Sequence, residues 1–175
     1  MKRRKMISTM GAISLGLASS PLSKAEVVKK PYKITEKTIE TDILIVGGGT
    51  AGVVAAIQAG RAGAKTTLVE SGSQLGGTTT TGGVSFPGIF HAWGKQVIGG
   101  IGWELVMEAV NHNDDILPNF SIIPNNTTIR HWRHQVTVNP ALYALIAEEK
   151  CVDAGVNIHY YETPTSIEFK DGKWF

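Results

Sequence analysis

The sequence predicts an α/β fold built on a parallel sheet, and three observations predict it. An apolar run, Ile43, Leu44, Ile45 and Val46, passes at once into a glycine-rich turn and then into a small-residue helical stretch reaching Ala62. After Gly63 a second strand-like run, residues 65–70, closes on Glu70. A third unit repeats the order, with a helical stretch from Asn139 to Ala154, Gly155, and a strand-like run from Val156 to Tyr161. Strands separated by helical stretches are joined by crossovers, which makes neighbouring strands parallel.

The 175 residues suffice for one domain with a core of its own, and 42% hydrophobic against 18% charged content is globular rather than disordered. Charge is uneven. Five of the 17 basic residues lie in the first 25 positions with no acid among them, which leaves 12 basic against 15 acidic in the remainder. Nothing there resembles a nucleic-acid surface, and no nucleic-acid partner is expected. Cys151 stands alone, forms no internal disulfide, and sits among apolar helical positions as a small buried hydrophobe.

Residues 1–25 read as an export signal. Lys2, Arg3, Arg4 and Lys5 form its basic region, residues 6–18 are moderately apolar, and Ser23-Lys24-Ala25 supplies small residues for cleavage after Ala25. The apolar part is too short and too polar to span a bilayer, and no span is expected in the mature chain. Arg3-Arg4-Lys5-Met6-Ile7 resembles a twin-arginine signal, though Lys2 stands where Ser or Thr is usual. Both export routes stay open, with the periplasm as the expected destination. Residues 26–40 are a charged linker, with a short strand at its end left open. The domain proper runs over 41–175.

The first strand, turn and helix carry the chemistry. Gly47 permits a tight turn off the strand, Gly49 lets the backbone approach a pyrophosphate, and Gly52 lets the helix lie close to the strand. The phosphates then sit on the unpaired N–H groups of the helix start, where Thr50 and Ala51 stand. Glu70, 18 residues after Gly52, ends the second strand, where a carboxylate accepts hydrogen bonds from ribose hydroxyls and disfavours a 2′-phosphate. This is a Rossmann-type dinucleotide-binding unit, and NADP is not its expected ligand.

Directly behind Glu70 lies a second run rich in glycine and hydroxyls, residues 71–83. Ser71, Gly76, Gly77, Thr78 and Thr79 offer exposed N–H groups and hydroxyls to phosphate, ribityl and the edge of a polar ring. Val69-Glu70 followed by Leu75-Gly76-Gly77-Thr78 resembles the FAD-binding half of the two-dinucleotide-fold flavoproteins. Phe86-Pro87-Gly88, Phe90 to Gln96, Gly99 to Glu104, His131-Trp132-Arg133 and Val138 to Tyr143 resemble, more narrowly, the FAD-dependent oxidoreductases related to fumarate reductase and succinate dehydrogenase flavoproteins.

The resemblance implies FAD as cofactor and hydride transfer between a small organic substrate and the flavin. No cysteine pair follows the Gly-Gly-Thr loop, unlike the disulfide reductases of the superfamily, so dithiol chemistry is not implied. No histidine lies between Glu70 and Phe90, unlike succinate dehydrogenases, so FAD is expected to be non-covalent.

The later elements follow by pattern. Residues 98–112 read as a helix with Trp103, Leu105, Val106, Ala109 and Val110 on its apolar face, and residues 113–128 as a polar surface loop. His131 and His134 stand three apart, but no second ligand pair lies near in sequence. A polar segment lining the flavin or substrate cavity is preferred, and no metal is expected. His91 reads as a hydrogen-bonded structural histidine. Asn139 caps the next helix, Pro140 takes its first position and Gly155 ends it. Its expected buried side carries Leu142, Leu145, Ile146, Glu149 and Val152.

Asp171-Gly172 signals a hairpin, cut a few residues into its returning strand. In the resembling family backbone groups after the third strand hold the adenine. Pro164 has no N–H, so Thr165 is the candidate. That family continues well past Phe175 with a substrate domain and a segment closing over the flavin, which implies an N-terminal, incomplete FAD-binding domain. The catalytic groups are implied to lie largely in that further domain, so no catalytic residue is assigned. Two rival readings are an NAD-binding dehydrogenase, against which residues 76–83 argue, and a non-catalytic nucleotide-binding module.

Overall fold

The computed structural model of the protein describes residues 37–122 and 135–175. The export signal, most of the linker, and His131, Arg133 and His134 lie outside the described residues. The chain divides into two units with the boundary after Thr38, and every element named below lies in the second, Ile39–Phe175.

β1 (Ile43–Val46), α1 (Thr50–Arg61), β2 (Thr66–Glu70), α2 (Ile101–His112), α3 (Pro140–Asp153) and β5 (Asn157–Tyr160) form the body of this unit. The sheet is parallel, in the order β1-β2-β5, with Val46 beside Val69 and Val69 beside His159. Two antiparallel hairpins complete the fold: β3 (His91–Ala92) with β4 (Lys95–Gln96), and β6 (Phe169–Lys170) with β7 (Lys173–Trp174). The fold class is therefore α/β, a three-stranded parallel sheet with flanking helices and the expected hairpin at residues 169–174. In that hairpin Asp171 and Gly172 both have positive φ, the geometry a two-residue turn of this hand requires.

Alternation decides which side of the sheet is covered. Ile45, Leu68, Ile158 and Tyr160 turn toward the helices and join the core with Val53, Ile57, Leu105, Val106, Val110, Tyr143, Ile146 and Cys151. Leu44 and Val46 alternate with Ile45 and are exposed. Arg61 on α1 makes a two-pronged pair with Glu104 on α2 (2.8 and 2.5 Å), and Lys150 on α3 pairs with Glu108 on α2 at 2.9 Å. These pairs are partly exposed and add little to stability.

Three expectations change. The helix expected from residue 98 starts at Ile101, because Gly100 takes φ 73° as its N-cap and Gly99 lies outside. The buried side of α3 is Tyr143, Ala144, Ile146, Ala147 and Cys151, while Leu145 and Val152 are 62% and 60% exposed. Packing against two helices and β5 rotates the buried stripe away from the one that apolarity alone selected. The loop after α2 is not wholly on the surface, since Leu117 and Phe120 pack on the core. Residues 37–40, the described end of the linker, carry no strand.

The hairpin at residues 91–96 was not read from the sequence, because Trp93 occupies the first turn position at φ 52°, where Gly or Asn is usual. His91 is gathered into an aromatic cluster, stacked on Phe120 at 3.8 Å and edge-on to Trp103 at 5.0 Å.

Candidate functional site

The carboxyl ends of β1 and β2 carry the two glycine loops, and the fold joins them. β1 leaves the sheet through Gly47, whose φ of 97° turns the chain and whose N–H donates to the Val69 carbonyl at 2.8 Å. α1 begins immediately afterwards. No side chain caps its start and no acid stands in its first turn. The first N–H groups of a helix have no intrahelical acceptor and carry the positive end of its dipole. An anion is the natural partner of that end.

Two glycines show what the turn is built for. A Cβ on Gly52 would run into the carbonyl oxygen of Gly47, so the helix can close onto the turn only without one. A Cβ on Gly49 would meet nothing, and Gly49 has an ordinary φ of −66°. Neither protein packing nor backbone conformation therefore demands glycine at 49. The space above it is open at the mouth of the helix dipole, the place where a pyrophosphate would have to approach.

The second loop is a built element. Gly76 donates its N–H to the Gly48 carbonyl at 2.8 Å and forms a parallel bridge with Gly49, and Thr50 Oγ1 donates to the Gly76 carbonyl at 3.2 Å. Gly77–Thr79 then makes one 3-10 turn. Thr79 and Thr80 are buried, and Thr80 Oγ1 donates to the Leu75 carbonyl at 2.7 Å. Thr78 is exposed at the rim.

Glu70 sits between the loops. Its Oε2 accepts the Gly48 N–H at 2.6 Å, and its Oε1 accepts the Gly72 N–H at 2.6 Å and the Ser71 hydroxyl at 3.2 Å. Burial pushes the Glu70 carboxyl up, but the hydrogen bonds from Gly72, Gly48 and Ser71 together outweigh it and hold the group below its ordinary range. It is a carboxylate at neutral pH.

The structure thus joins the turn at Gly47 and Gly49, the start of α1 at Thr50, Ala51 and Gly52, Glu70 with Ser71, and the second loop of Gly76, Gly77 and Thr78 into one rim. Gly76 and Thr79 are buried in it rather than exposed as expected, Gly76 because its N–H and carbonyl are bonded to Gly48 and Thr50. Thr165 is exposed in the segment between β5 and the hairpin. The residues of that segment bonded to the rim are Tyr161, whose N–H donates to the Gly72 carbonyl at 3.2 Å, and Glu162, whose N–H donates to the Glu70 carbonyl at 3.1 Å. Gly48 was missed by the sequence reading, because it is the unconstrained second position of the glycine fingerprint. Yet a Cβ there would collide with the Leu75 side chain and lie 3.1 Å from Glu70 Oε2.

A cleft of about 680 Å³ lies apart from this rim, bounded by Asn113, Asp115, Leu117, Gln135 and Asn139. Among the described residues no three or more His, Cys, Asp or Glu side chains gather as a metal site would require, and no helix is long and apolar enough to cross a membrane.

Comparison with known proteins gives a family match. The family described as FAD dependent oxidoreductase matches residues 42–174. Over 63 residues the chain is 38% identical to thiamine thiazole synthase of Methanococcus vannielii, covering 36% of this chain and 24% of that protein. Over 75 residues it is 36% identical to nicotine dehydrogenase of Pseudomonas putida, covering 43% of this chain and 14% of that protein. Among solved structures, THI4 of Thermovibrio ammonificans aligns over 99% of this chain and 53% of its own, with 14% identity and a TM-score of 0.44. The chain spans about a quarter or less of the curated relatives it matches.

Proposed function

We propose, for a chain that belongs to the FAD dependent oxidoreductase family, that it holds FAD non-covalently as the N-terminal portion of an exported enzyme transferring hydride between a small organic substrate and the flavin. The single observation that carries the cofactor reading is the open space at Gly49, set at the uncapped start of α1 and next to Gly48, which Glu70 and Gly76 both bond. A dinucleotide with a pyrophosphate in its middle and a ribose on one side fits that donor and acceptor set.

Each residue has a task in this reading. The N–H groups at the start of α1, Thr50 and Ala51 among them, bind and orient the pyrophosphate. Glu70 accepts hydrogen bonds from ribose hydroxyls. Thr78, exposed at the edge of the second loop, faces the other half of the cofactor. When bound, the flavin supplies the hydride chemistry, and the protein supplies binding and orientation. Kinship with the fumarate reductase and succinate dehydrogenase branch is supported by the motifs of residues 86–104. Export is supported by Arg3, Arg4 and the small residues before Glu26.

The test is titration of the purified chain with FAD, with NAD as the rival ligand, followed by flavin fluorescence. FAD should bind and NAD should not. Gly49→Val should stay folded, because nothing stands within 4 Å of the added Cβ, with a modest fall in melting temperature from valine at the N-cap, yet lose FAD. Equal FAD binding by Gly49→Val would overturn the site. Export is tested separately: mass spectrometry of exported protein should place the mature N-terminus at Glu26, and intact Met1 chains retained in the cytoplasm would refute it.

A further inference from the structure

Gly48 is held from both ends of its peptide. Its carbonyl accepts the Gly76 N–H at 2.8 Å, and its own N–H donates to Glu70 Oε2 at 2.6 Å. It is buried, and an added Cβ would meet Leu75 and Glu70. The next residue, Gly49, looks onto open space. The backbone that would face a pyrophosphate therefore hangs from a residue whose position Glu70 sets. The same carboxylate also gathers Gly72 and Ser71, and the Glu70 carbonyl takes the Glu162 N–H.

We infer that Glu70 is a positioning residue for the pyrophosphate cradle, in addition to any contact with a ribose. Its carboxylate fixes Gly48, and through Gly48 the register of the first glycine loop against the second, before a ligand arrives. The inference rests on the reading of this rim as a dinucleotide site, and it separates from a ribose role in one respect. A residue that only touches ribose is irrelevant to a ligand without one. A residue that positions the cradle affects inorganic pyrophosphate as well. Hydrogen bonds to a charged group are the stronger kind, and removal leaves the buried Gly48 N–H without an acceptor.

The experiment compares the parent chain with Glu70→Ala and Glu70→Gln. Affinities for FAD, ADP and inorganic pyrophosphate are measured, together with ligand-free hydrogen exchange at the Gly48 amide by NMR. Glu70→Ala should weaken pyrophosphate by about tenfold and speed Gly48 exchange by a similar factor. Glu70→Gln should fall between, because its amide oxygen can accept from one N–H while its Nε2 cannot accept from the other. Should Glu70→Ala not fold, Glu70→Gln carries both measurements.

Loss of FAD and ADP affinity with unchanged pyrophosphate affinity and unchanged Gly48 exchange would overturn the inference and leave Glu70 as a ribose ligand. If the parent chain binds none of the three ligands, the dinucleotide reading is overturned and the ligand half of this inference with it. Gly48 exchange, measured without ligand, then still decides whether Glu70 holds the loop.

Discussion

Gly77 lies so close to Gly49 that a Cβ on it would stand 2.9 Å from the Gly49 Cα. The second glycine loop is therefore packed onto the first, backbone to backbone, and a side chain at 77 acts on both. Gly77 also has a positive φ, 53°, which a β-branched residue tolerates poorly. Gly77→Val should lower the melting temperature strongly and abolish FAD binding together, in contrast to Gly49→Val, which should lose binding with only a modest fall in melting temperature. Thermal melts beside flavin fluorescence titrations separate the two, and an unchanged melting temperature in Gly77→Val would count against the packed-loop geometry.

Stability should fall in acid through Glu70. Its carboxyl is held below the ordinary glutamate range in the folded chain. A depressed folded pKa gives stability that is present above the unfolded value and is lost as the pH falls through the folded one. Melts from about pH 7 to about pH 3 should therefore show a component that Glu70→Gln removes, beginning near the ordinary glutamate value of about 4.3. Glu104, also held low, by Arg61, belongs to a partly exposed pair and should contribute less. Identical acid profiles for the parent and Glu70→Gln would contradict the bonding of the carboxylate to Gly48 and Gly72.

Cys151 should be inert in the folded chain. It is fully buried, and burial together with the Glu148 charge pushes its thiol up to about 11. The thiolate is the reactive form, so both access and ionisation are denied near neutral pH. Alkylation followed by mass spectrometry should show slow labelling in buffer and full labelling in denaturant. Fast native labelling would mean that α3 does not pack as described.

Tyr161 should prefer to be glycine. It leaves β5 at φ 60° and is 76% exposed, while its N–H holds the Gly72 carbonyl. A bulky residue in the left-handed region costs about 1–2 kcal/mol, and glycine loses about 0.5–1 kcal/mol of that gain to unfolded-state entropy. Tyr161→Gly should leave stability equal or raise it by up to about 1 kcal/mol, measured by denaturant unfolding. A clear loss would show that the ring makes a stabilising contact.

Sequence alone determined the elements that local chemistry controls. Asn139 does cap α3, its Oδ1 accepting the N–H groups of Ala141 at 3.0 Å and Leu142 at 3.4 Å, and Pro140 follows at the first helical position. The apolar run of β1, the glycines after it and the acid closing β2 are short-range signals, so the first strand-turn-helix-strand unit was legible from spacing.

Only the tertiary structure decided what depends on neighbours distant in the chain. Which face of α3 is buried follows from its packing against α1, α2 and β5, so Tyr143 and Cys151 went inside and Leu145 stayed out. The same holds for the rim. Gly48 meets Glu70 across 22 positions and Thr50 meets Gly76 across 26. Tyr161, with Glu162, stands at the Glu70–Gly72 turn because β5 pairs beside β2 and delivers its own end there. Hydrogen bonds between loops are fixed by strand order and register, which no local pattern encodes.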